Sequence, residues 1–201
     1  ITKLKLDVHL MVQHPEEQVE KFVKAGADYI SFHAEAKGNL LEVVHRAKKI
    51  NAKIKVGIAL NPNTSLTKLK PFWHHISYVL LMSVFPGKYG QEFINITKKI
   101  RRLKEFILQN NFQHVLIEVD GGIKKENAYQ VINAGADVLA TGSAVYKQPK
   151  YAEAIASFKD TIAIACDHGG FKLKKSIKHY LDLQGLAYQD YGTYSEERCD
   201  Y

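Results

Sequence analysis

The stretch that decides the fold is VLIEVDGGI, residues 115–123. An apolar run that ends in a carboxylate, Asp120, and two glycines is typical of a buried parallel strand that delivers an acid to a ligand. Because Gly121 and Gly122 lack Cβ atoms, their N–H groups can approach a phosphate closely and the chain can take positive φ. The same D-G-G sequence also occurs in plain loops, so the other strands must decide between the two interpretations.

The chain alternates apolar strands with helical segments. The predicted strands are Leu4–Leu10, Tyr29–His33, Ile54–Leu60, Ser77–Val84, Val115–Val119 and Val138–Thr141. The predicted helices are Pro15–Lys24, Asn39–Lys49, a short one near Leu66–Lys70, Ile94–Gln109, Lys125–Asn133 and, after a turn, Tyr151–Phe158. Strand–helix pairs in succession predict a parallel sheet, either doubly wound or closed as a (β/α)₈ barrel.

An internal repeat favours the barrel. Ala25–Asp28 and Ala134–Asp137 share the sequence AGAD, and each stands between a helix and a strand. The glycine fits the position just after a helix, where a left-handed backbone is common. Equivalent contexts indicate repeated βα units, and in a barrel the functional side chains collect at the carboxyl ends of the strands.

Polar side chains and glycines follow most of these strands. They are His9 and Met11, His33 and Glu35, Asn61, Met82 and Ser83, Asp120, and Gly142 with Ser143. A single buried histidine is usually a core residue with a backbone partner, but this many groups at successive strand ends indicate a site. His9 and Asp120 together suit a divalent metal ion such as zinc, iron, manganese or cobalt. Glycine turns after the last two strands are where barrels commonly bind phosphate.

Composition and charge narrow the function classes. The 201 residues are 46% hydrophobic and 24% charged, which provides enough apolar material for a globular core. The net charge of +7 comes from Lys and Arg scattered along helices, which favours solvated helix faces and anionic substrates over nucleic acid. No apolar run reaches membrane-spanning length, and the two cysteines, Cys166 and Cys199, fit a reducing compartment. We expect a cytoplasmic homo-oligomer that binds neither nucleic acid nor membrane.

Six motifs together resemble ribulose-phosphate 3-epimerase across residues 4–158. They are DVHLMV (7–12), SFHAE (31–35), GIALNPNT (57–64), LMSVFPGKYGQEF (81–93), VDGGI (119–123) and ATGSAVY (140–146). The related hexulose-phosphate synthases and decarboxylases carry a lysine motif on the strand where this chain has His9, which favours the metal-dependent epimerase. The resemblance implies a (β/α)₈ TIM barrel of the ribulose-phosphate-binding type that lacks its first two βα units.

The resemblance also implies roles for individual residues. It implies C3 epimerisation of D-ribulose 5-phosphate to D-xylulose 5-phosphate through an enediolate, with Asp120 as one of two catalytic aspartates. His9 and Asp120 would hold the metal ion, while the other two ligands belong to an H-x-D motif that this sequence lacks. We therefore expect residues 1–201 alone to show negligible epimerase activity. The implied substrate and phosphate residues are His9, Met11, Met82, Gly87, Gly90, Gly121, Gly122, Gly142 and Ser143.

Some of these positions have a second interpretation. Met11 and Met82 match residues that shield the enediolate, but methionines at these positions also suit core packing. Lys88 and Tyr89 stand where the family has an aromatic residue and a glycine, so Tyr89 would be strained if that glycine uses positive φ. Lys88 either meets the phosphate or points to solvent.

The chain changes character after residue 160. IAIACDHGGFKLK (162–174) predicts an apolar strand that runs into a helix ending near Leu183, and a weak strand follows at Ala187–Tyr191. With GTYSEE (192–197), this part resembles the first βαβ unit of a Rossmann-like, doubly wound type B ribose-5-phosphate isomerase. The resemblance implies that Asp167, His168 and Tyr201 bind the sugar phosphate, although D-H-G-G at a helix start also serves as a simple cap.

The sequence therefore predicts a fused pentose-phosphate enzyme. Residues 1–160 form the epimerase barrel, and residues 161–201 begin the isomerase. An inactive sugar-phosphate-binding or scaffold domain is the alternative, and nucleic-acid binding driven by basic charge is the third hypothesis. In the metal site, we expect His33 to lie outside the ligand set.

Overall fold

The computed structural model describes residues 2–87, 91–158 and 161–197. Its strands are β1 (Asp7–Leu10), β2 (Tyr29–His33), β3 (Lys55–Leu60), β4 (Tyr78–Met82), β5 (Leu116–Asp120), β6 (Val138–Ala140), β7 (Thr161–Ile164) and β8 (Ala187–Asp190). Its α-helices are α1 (Val19–Lys24), α2 (Leu40–Ile50), α3 (Thr97–Gln109), α4 (Lys125–Asn133), α5 (Ser143–Tyr146), α6 (Tyr151–Ala156) and α7 (Phe171–Leu183). Short 3₁₀ turns lie at Pro15–Glu17 and Leu66–Leu69.

Strands β1 to β6 form one parallel sheet in chain order, and β7 and β8 form a separate parallel pair. The six-stranded sheet curls into half of a barrel. Parallel neighbours joined by helices confirm the predicted βα repeat. No helix in the described part of the chain is long and apolar enough to span a lipid bilayer.

The two faces of the six-stranded sheet differ because side chains alternate along each strand. The outer face packs against the helices and forms the main core, with Ile58, Leu81 and Ile117 fully buried. The inner face carries a smaller apolar cluster that includes Tyr78 and Met82. The outer face stabilises the fold, and the inner face is left to carry polar side chains.

Local sequence explains where the helices begin. The Asn39 side chain accepts a hydrogen bond from Glu42 N at 3.3 Å and so caps α2, whose buried residues recur with helical spacing. The Asn127 side chain accepts one from Lys124 N at 2.8 Å at the start of α4. Helix α3 begins at Thr97, three residues later than predicted, because Asn95 Oδ1 accepts from Thr97 N at 3.0 Å.

The two AGAD segments have the same local structure. Gly26 has φ +103° and Gly135 has φ +111°, each just after a helix, as predicted. Asp28 Oδ2 accepts a hydrogen bond from Leu6 N at 3.0 Å, and Asp137 Oδ2 accepts one from Ile117 N at 2.8 Å. Each aspartate thus anchors the preceding strand, which confirms repeated βα units.

Other boundaries differ from the prediction. Strand β1 begins at Asp7 and not at Leu4, because β2 pairs with it from Asp7 onward. The first predicted helix is a 3₁₀ turn followed by α1, and α5 lies where a turn was expected after β6. These differences leave the order and direction of the strands unchanged.

The pair β7 and β8 with α7 forms a parallel βαβ unit that rests on α4. Lys174, only 3% exposed, donates from Nζ to Asp190 Oδ1 and to Thr193 O, both at 2.6 Å. Asn133, the last residue of α4, accepts from Tyr188 N at 2.7 Å and donates to Leu186 O at 2.9 Å. One carboxamide thereby supplies the pair of hydrogen bonds that a neighbouring strand would supply.

Candidate active site

A cleft of about 1200 Å³ opens at the carboxyl ends of β4, β5 and β6. The predicted catalytic residue Asp120 lines it, together with most of the predicted substrate residues: Met11, Met82, Gly87, Gly121, Gly122, Gly142 and Ser143. Met82 is buried and Met11 is about half exposed, so core packing explains Met82 better than Met11. Gly90, Lys88, Tyr89 and Tyr201 lie outside the described residues.

Asp120 ends β5 and stands between Met82 on β4 and Ala140 on β6. Burial raises the pKa of this carboxyl, and a hydrogen bond from the Gly121 main chain offsets part of that rise. A carboxyl with a raised pKa is a stronger base than an exposed one, so it suits proton transfer near neutral pH.

The turn after Asp120 requires both of its glycines. Gly121 has φ +116° and Gly122 has φ +62°. A Cβ at Gly121 would lie 2.6 Å from Val84 Cγ2, and one at Gly122 would lie 2.9 Å from Phe93 N. Only glycine fits this conformation and this space, which favours a built ligand site over a plain loop.

Hydrogen bonds from three directions hold this turn. Ser83 Oγ, at the end of β4, donates to Gly121 O at 2.5 Å. Asn127 Nδ2, in the first turn of α4, donates to Gly122 O at 3.0 Å, and Thr141 Oγ1 donates to Ile123 O at 3.1 Å. Sequence reasoning named Ser83 but missed Asn127, whose only signal was its place at a helix start.

Charged side chains of both signs line the cleft. Lys124, Lys125, Lys147 and Lys150 line it, together with glutamates. Lys150 Nζ is paired with Glu153 Oε1 at 2.7 Å, while the other three form no ion pair within the described residues. The sequence analysis did not single out these four lysines, which the structure brings to one pocket.

His9 lies on the inner face, on β1, and it is not among the described cleft-lining residues. Its Nδ1 lies 2.9 Å from Ser31 Oγ, and its Nε2 lies 3.1 Å from His33 Nε2. Burial, and then the neighbouring His33, lower the pKa of His9 to about 4. The imidazole is therefore neutral near pH 7, and the neutral form is the one that binds metal ions.

Beyond His33, Glu35 collects further donors. Asn61 N donates to its Oε1 at 2.9 Å, Thr64 Oγ1 donates to the same oxygen, and His33 Nδ1 lies 3.3 Å from Oε2. Burial raises the pKa of Glu35, but these hydrogen bonds outweigh it and lower the pKa to about 2. Glu35 is ionised at any pH where the protein would work.

Two titratable groups, one partly buried and one buried, were not predicted as site residues. Lys99 Nζ donates to Asn61 O at 2.7 Å, and burial lowers the pKa of this lysine to about 8. On the inner face below Asp120, burial and then the neighbouring Asp7 raise the pKa of Glu118 to about 8. Glu118 and Asp7 therefore form a pair of carboxyls on the inner face beneath the cleft. Tyr78 OH donates a hydrogen bond to Asp7 Oδ1 at 3.1 Å.

The donors predicted for a metal ion are chemically suitable but incomplete. His9 supplies a neutral nitrogen and Asp120 a carboxylate, the ligand types that zinc, iron and manganese accept. Within residues 2–87, 91–158 and 161–197, no three His, Cys, Asp or Glu side chains converge as a metal site.

In the second unit, Asp167 and His168 lie between β7 and α7 as predicted. Asp167 Oδ1 accepts a hydrogen bond from Gly170 N at 2.8 Å, which is the arrangement of a helix cap. His168 Nδ1 is buried and has no hydrogen-bond partner among the described atoms. The helix-cap interpretation therefore explains Asp167. It does not explain why His168 Nδ1 is buried without a hydrogen-bond partner among the described atoms.

A curled parallel sheet with its cleft at the carboxyl strand ends defines a βα-barrel protein. Two solved structures agree on this fold. The KGPDC of Streptococcus mutans aligns at TM-score 0.53 and 16% identity, covering 71% of this chain and 63% of that one. A 3-hexulose-6-phosphate synthase aligns at TM-score 0.52 and 20% identity, covering 71% and 66%.

The chain belongs to the ribulose-phosphate 3-epimerase family, whose family model matches residues 1–146. The ribulose-phosphate 3-epimerase of Bacillus subtilis is 41% identical over 160 residues, which is 79% of this chain and 73% of the relative. The chloroplastic ribulose-5-phosphate-3-epimerase of Arabidopsis thaliana is 44% identical, covering 79% of this chain and 57% of the relative. The chain thus spans between about half and three quarters of these relatives.

The last part of the chain matches a different family. Residues 162–201 match the model for ribose/galactose isomerase. The change of family near residue 160 agrees with the change from the six-stranded sheet to the separate strand pair.

Proposed function

We propose that the cleft binds ribulose 5-phosphate and that Asp120 moves the C3 proton in its epimerisation to xylulose 5-phosphate. The observation that carries the proposal is Asp120 itself, a half-buried carboxyl with a raised pKa beside a turn that only glycine can form. Membership of the ribulose-phosphate 3-epimerase family supports the same reaction.

Inverting a carbon next to a ketone requires removing its proton and returning one to the opposite face. Asp120 is the base for one face. Because burial disfavours its charged form, the carboxyl accepts the proton more readily than an exposed aspartate. Ser83 N donates to Asp120 O at 2.7 Å, and Ser83 Oγ, which donates to Gly121 O, lies 2.9 Å from the same oxygen, so the main chain beneath the carboxyl is fixed.

We propose that the phosphate lies against main-chain N–H groups. Gly121 and Gly122 allow close approach, and the turn through Gly142 and Ser143 lines the same cleft. Lys124 and Lys147 add positive charge at the rim. This arrangement places the charged end of the sugar away from the inner face, where Asp120 lies.

A divalent metal ion, when bound, polarises the ketone oxygen and stabilises the enediolate charge. His9 and Asp120 are the residues of this chain that we propose to hold it. Catalytic sites use about three protein ligands. We therefore propose that the eight-stranded barrel closes between β6 and β1 and that the remaining ligands come from that side.

We further propose that residues 161–201 begin a Rossmann-like ribose-5-phosphate isomerase of the B type. The match to the ribose/galactose isomerase model and the parallel βαβ unit support this. The unpartnered His168 Nδ1 is the atom that would meet the sugar phosphate. Both units would then share ribulose 5-phosphate as a substrate.

Hydrogen exchange at C3 tests the epimerase proposal. We expect the chain, with Zn²⁺ present, to exchange the C3 hydrogen of ribulose 5-phosphate with D₂O, because exchange needs one base whereas inversion needs two. Asp120→Asn keeps the shape and loses the base, so exchange followed by NMR should fall by about 100-fold or more. Glu105→Gln, an exposed carboxyl on α3, is the matched control. Equal rates for wild type and Asp120→Asn would reject the base, and no exchange at all would favour the inactive binding domain.

Separate assays test the fusion. In a longer parent protein that carries both complete units, we expect Asp120→Asn to remove epimerisation and to leave ribose 5-phosphate isomerisation intact, and His168→Ala to impair the isomerase alone. Each reaction is measured alone in both variants of the protein. A protein without isomerase activity, or a variant that loses both activities, would contradict two independent sites.

A further inference from the structure

Below the cleft, one tyrosine crosses the inner face of the curled sheet. Tyr78 belongs to β4 and is only 2% exposed. A Cβ at Gly57 on β3 would lie 2.5 Å from Tyr78 Cζ, so the ring passes directly over Gly57. The ring meets that of Tyr29 on β2 edge-on, with 5.9 Å between the centroids, and its OH donates to Asp7 Oδ1 on β1 at 3.1 Å. One side chain therefore spans the inner face from β4 to β1.

A second contact joins strands that are still further apart in the sheet. Glu118 on β5 makes a side-chain hydrogen bond with the same Asp7. In a flat sheet, β1 and β5 would be separated by four strand spacings, or about 19 Å. An aspartate and a glutamate cannot bridge that distance, so the contact forms only because the sheet curls.

The register of the strands shows how far the curl has gone. The register pairs that join neighbouring strands place His9 level with Leu116 on β5. Asp7, two residues before His9, is therefore level with His114, and Glu118 lies four residues beyond that position. In a barrel of eight strands and shear 8, the register shifts by about one residue per strand, or about four residues from β1 to β5. The contact between Asp7 and Glu118 thus has the offset that a complete barrel requires.

We propose that Tyr78, Asp7 and Glu118 are positioning residues that fix the curl of the sheet and so set the width of the cleft above them. Side chains alternate along a strand, so the next inward residue after Glu118 is Asp120, and the inward row of β1 continues from Asp7 to Met11. Asp120 and Met11 line the same cleft. Contacts that fix the distance between β1 and β5 in one layer fix it in the layers above. The inference rests on the proposed function of this cleft, in which a sugar phosphate is held from both sides.

Distances between two nitroxide labels measure the cleft width in the 201-residue chain. The labels are placed on Val12→Cys, just after β1, and on Lys125→Cys, at the start of α4, because both positions are exposed. Cys166→Ser and Cys199→Ser remove the native thiols. We expect double electron–electron resonance to give one narrow distance distribution when the three positioning residues are present.

Variants of the three residues should change that distribution. Tyr78→Phe keeps the ring and loses its hydrogen bond to Asp7, so the distribution should broaden. Asp7→Ala and Glu118→Leu should also shift the mean to a longer distance. Glu118→Gln should restore the original distance, because its side-chain amide can still donate to Asp7. Tyr29→Phe, on the same face, keeps both contacts with Asp7 and is the matched control.

The outcome of these measurements decides the proposal. An unchanged distance in both Asp7→Ala and Glu118→Leu would overturn it. A Glu118→Gln variant as wide as Glu118→Leu would overturn it as well, because a hydrogen bond would then not be what holds the strands. Each variant is first shown to be folded by its Trp73 fluorescence.

Titrations with two ligands separate positioning from a general loss of structure. Inorganic phosphate needs only the turns after β5 and β6, whereas ribulose 5-phosphate extends across the cleft. We expect Glu118→Leu to lower the affinity for ribulose 5-phosphate several-fold and to leave that for phosphate unchanged, as followed at the Gly121 and Gly122 amide signals. A parallel loss of both ligands would contradict a positioning role. A wild type that binds neither ligand would reject the proposed function, and the label distances would still decide the role of the three residues.

Discussion

The six-stranded unit and the strand pair β7–β8 are stabilised in opposite ways. The outer face of the larger sheet buries a continuous apolar core that includes Ile58, Leu81 and Ile117. Among the described residues of the smaller unit, the buried side chains are Lys174, Leu181 and Tyr188. One of those three is a lysine, so charged and polar contacts carry much of the packing there.

Those polar contacts tie the smaller unit together and to its neighbour. The Asp190 carboxylate forms ion pairs with Lys174 Nζ at 2.6 Å and with Lys178 Nζ at 2.7 Å, which links α7 to β8. Asn133 then links β8 to α4. The comparison teaches that the larger unit depends on burying apolar area, whereas the smaller one depends on a few directed hydrogen bonds.

The largest effect should come from the apolar core. Ile117→Ala should lower the free energy of unfolding of the barrel unit by about 2–5 kcal/mol, because it leaves a cavity under the helices. Trp73 is the single tryptophan and stacks on Phe106 and Phe112 at 4.8 and 5.2 Å, so its fluorescence reports this unit during urea unfolding. Leu173→Ala, exposed on α7, is the control and should leave the Trp73 midpoint unchanged. Equal shifts of the urea midpoint in Ile117→Ala and Leu173→Ala would contradict the difference between the two units.

A smaller effect should come from the link between the units. Asn133→Ala leaves Tyr188 N and Leu186 O without their partner, which costs about 1–3 kcal/mol. Amide hydrogen exchange should accelerate at Tyr188 while the Trp73 unfolding midpoint stays unchanged. Asn133 Nδ2 also donates to Asp182 Oδ1 at 2.9 Å, so Asn133→Asp, which sets a second carboxylate against Asp182, should accelerate this exchange further. Unchanged exchange at Tyr188 in both variants would show that the contact contributes nothing.

The smallest expected effect is that of pH on stability, and the two units should respond to pH in opposite directions. Burial raises the pKa of Glu118 to about 8, so the folded barrel holds a proton that the unfolded chain releases, and the contribution of Glu118 to stability falls as pH rises from about 4.5 to 8. Hydrogen bonds from Lys174 and Lys178 outweigh burial and lower the pKa of Asp190, so its stabilisation is present above about 3.8 and is lost as pH falls below that value.

Two observables separate these trends. Glu118→Gln should flatten the pH dependence of the Trp73 urea midpoint between about pH 4.5 and 8. The amide NMR signals of β8 should keep their folded positions through that range and move only in acid. A Glu118→Gln variant with the same pH dependence as the wild type would contradict the assignment of Glu118.

The sequence predicted the apolar framework well because its cause is local. Strand β2 and helix α4 have the predicted bounds, and the AGAD repeat identified two equivalent helix ends. It did not predict the contact of His9 with His33, because a diagonal neighbour depends on the register of two strands. Lys99 and Glu118 were missed for a similar reason, since their burial depends on how the sheet curls. The glycine turn after Asp120 was predictable because positive φ and close approach both select glycine.

The carboxamide of Asn133 limits where a further strand can pair with the β7–β8 sheet. It uses Tyr188 N and Leu186 O, the groups that β8 would present to another strand, and so closes that side against further pairing. Any strand that extends this sheet, from the same polypeptide or another, must therefore add beside β7. A single side chain on one unit thus sets the direction in which the other can be built.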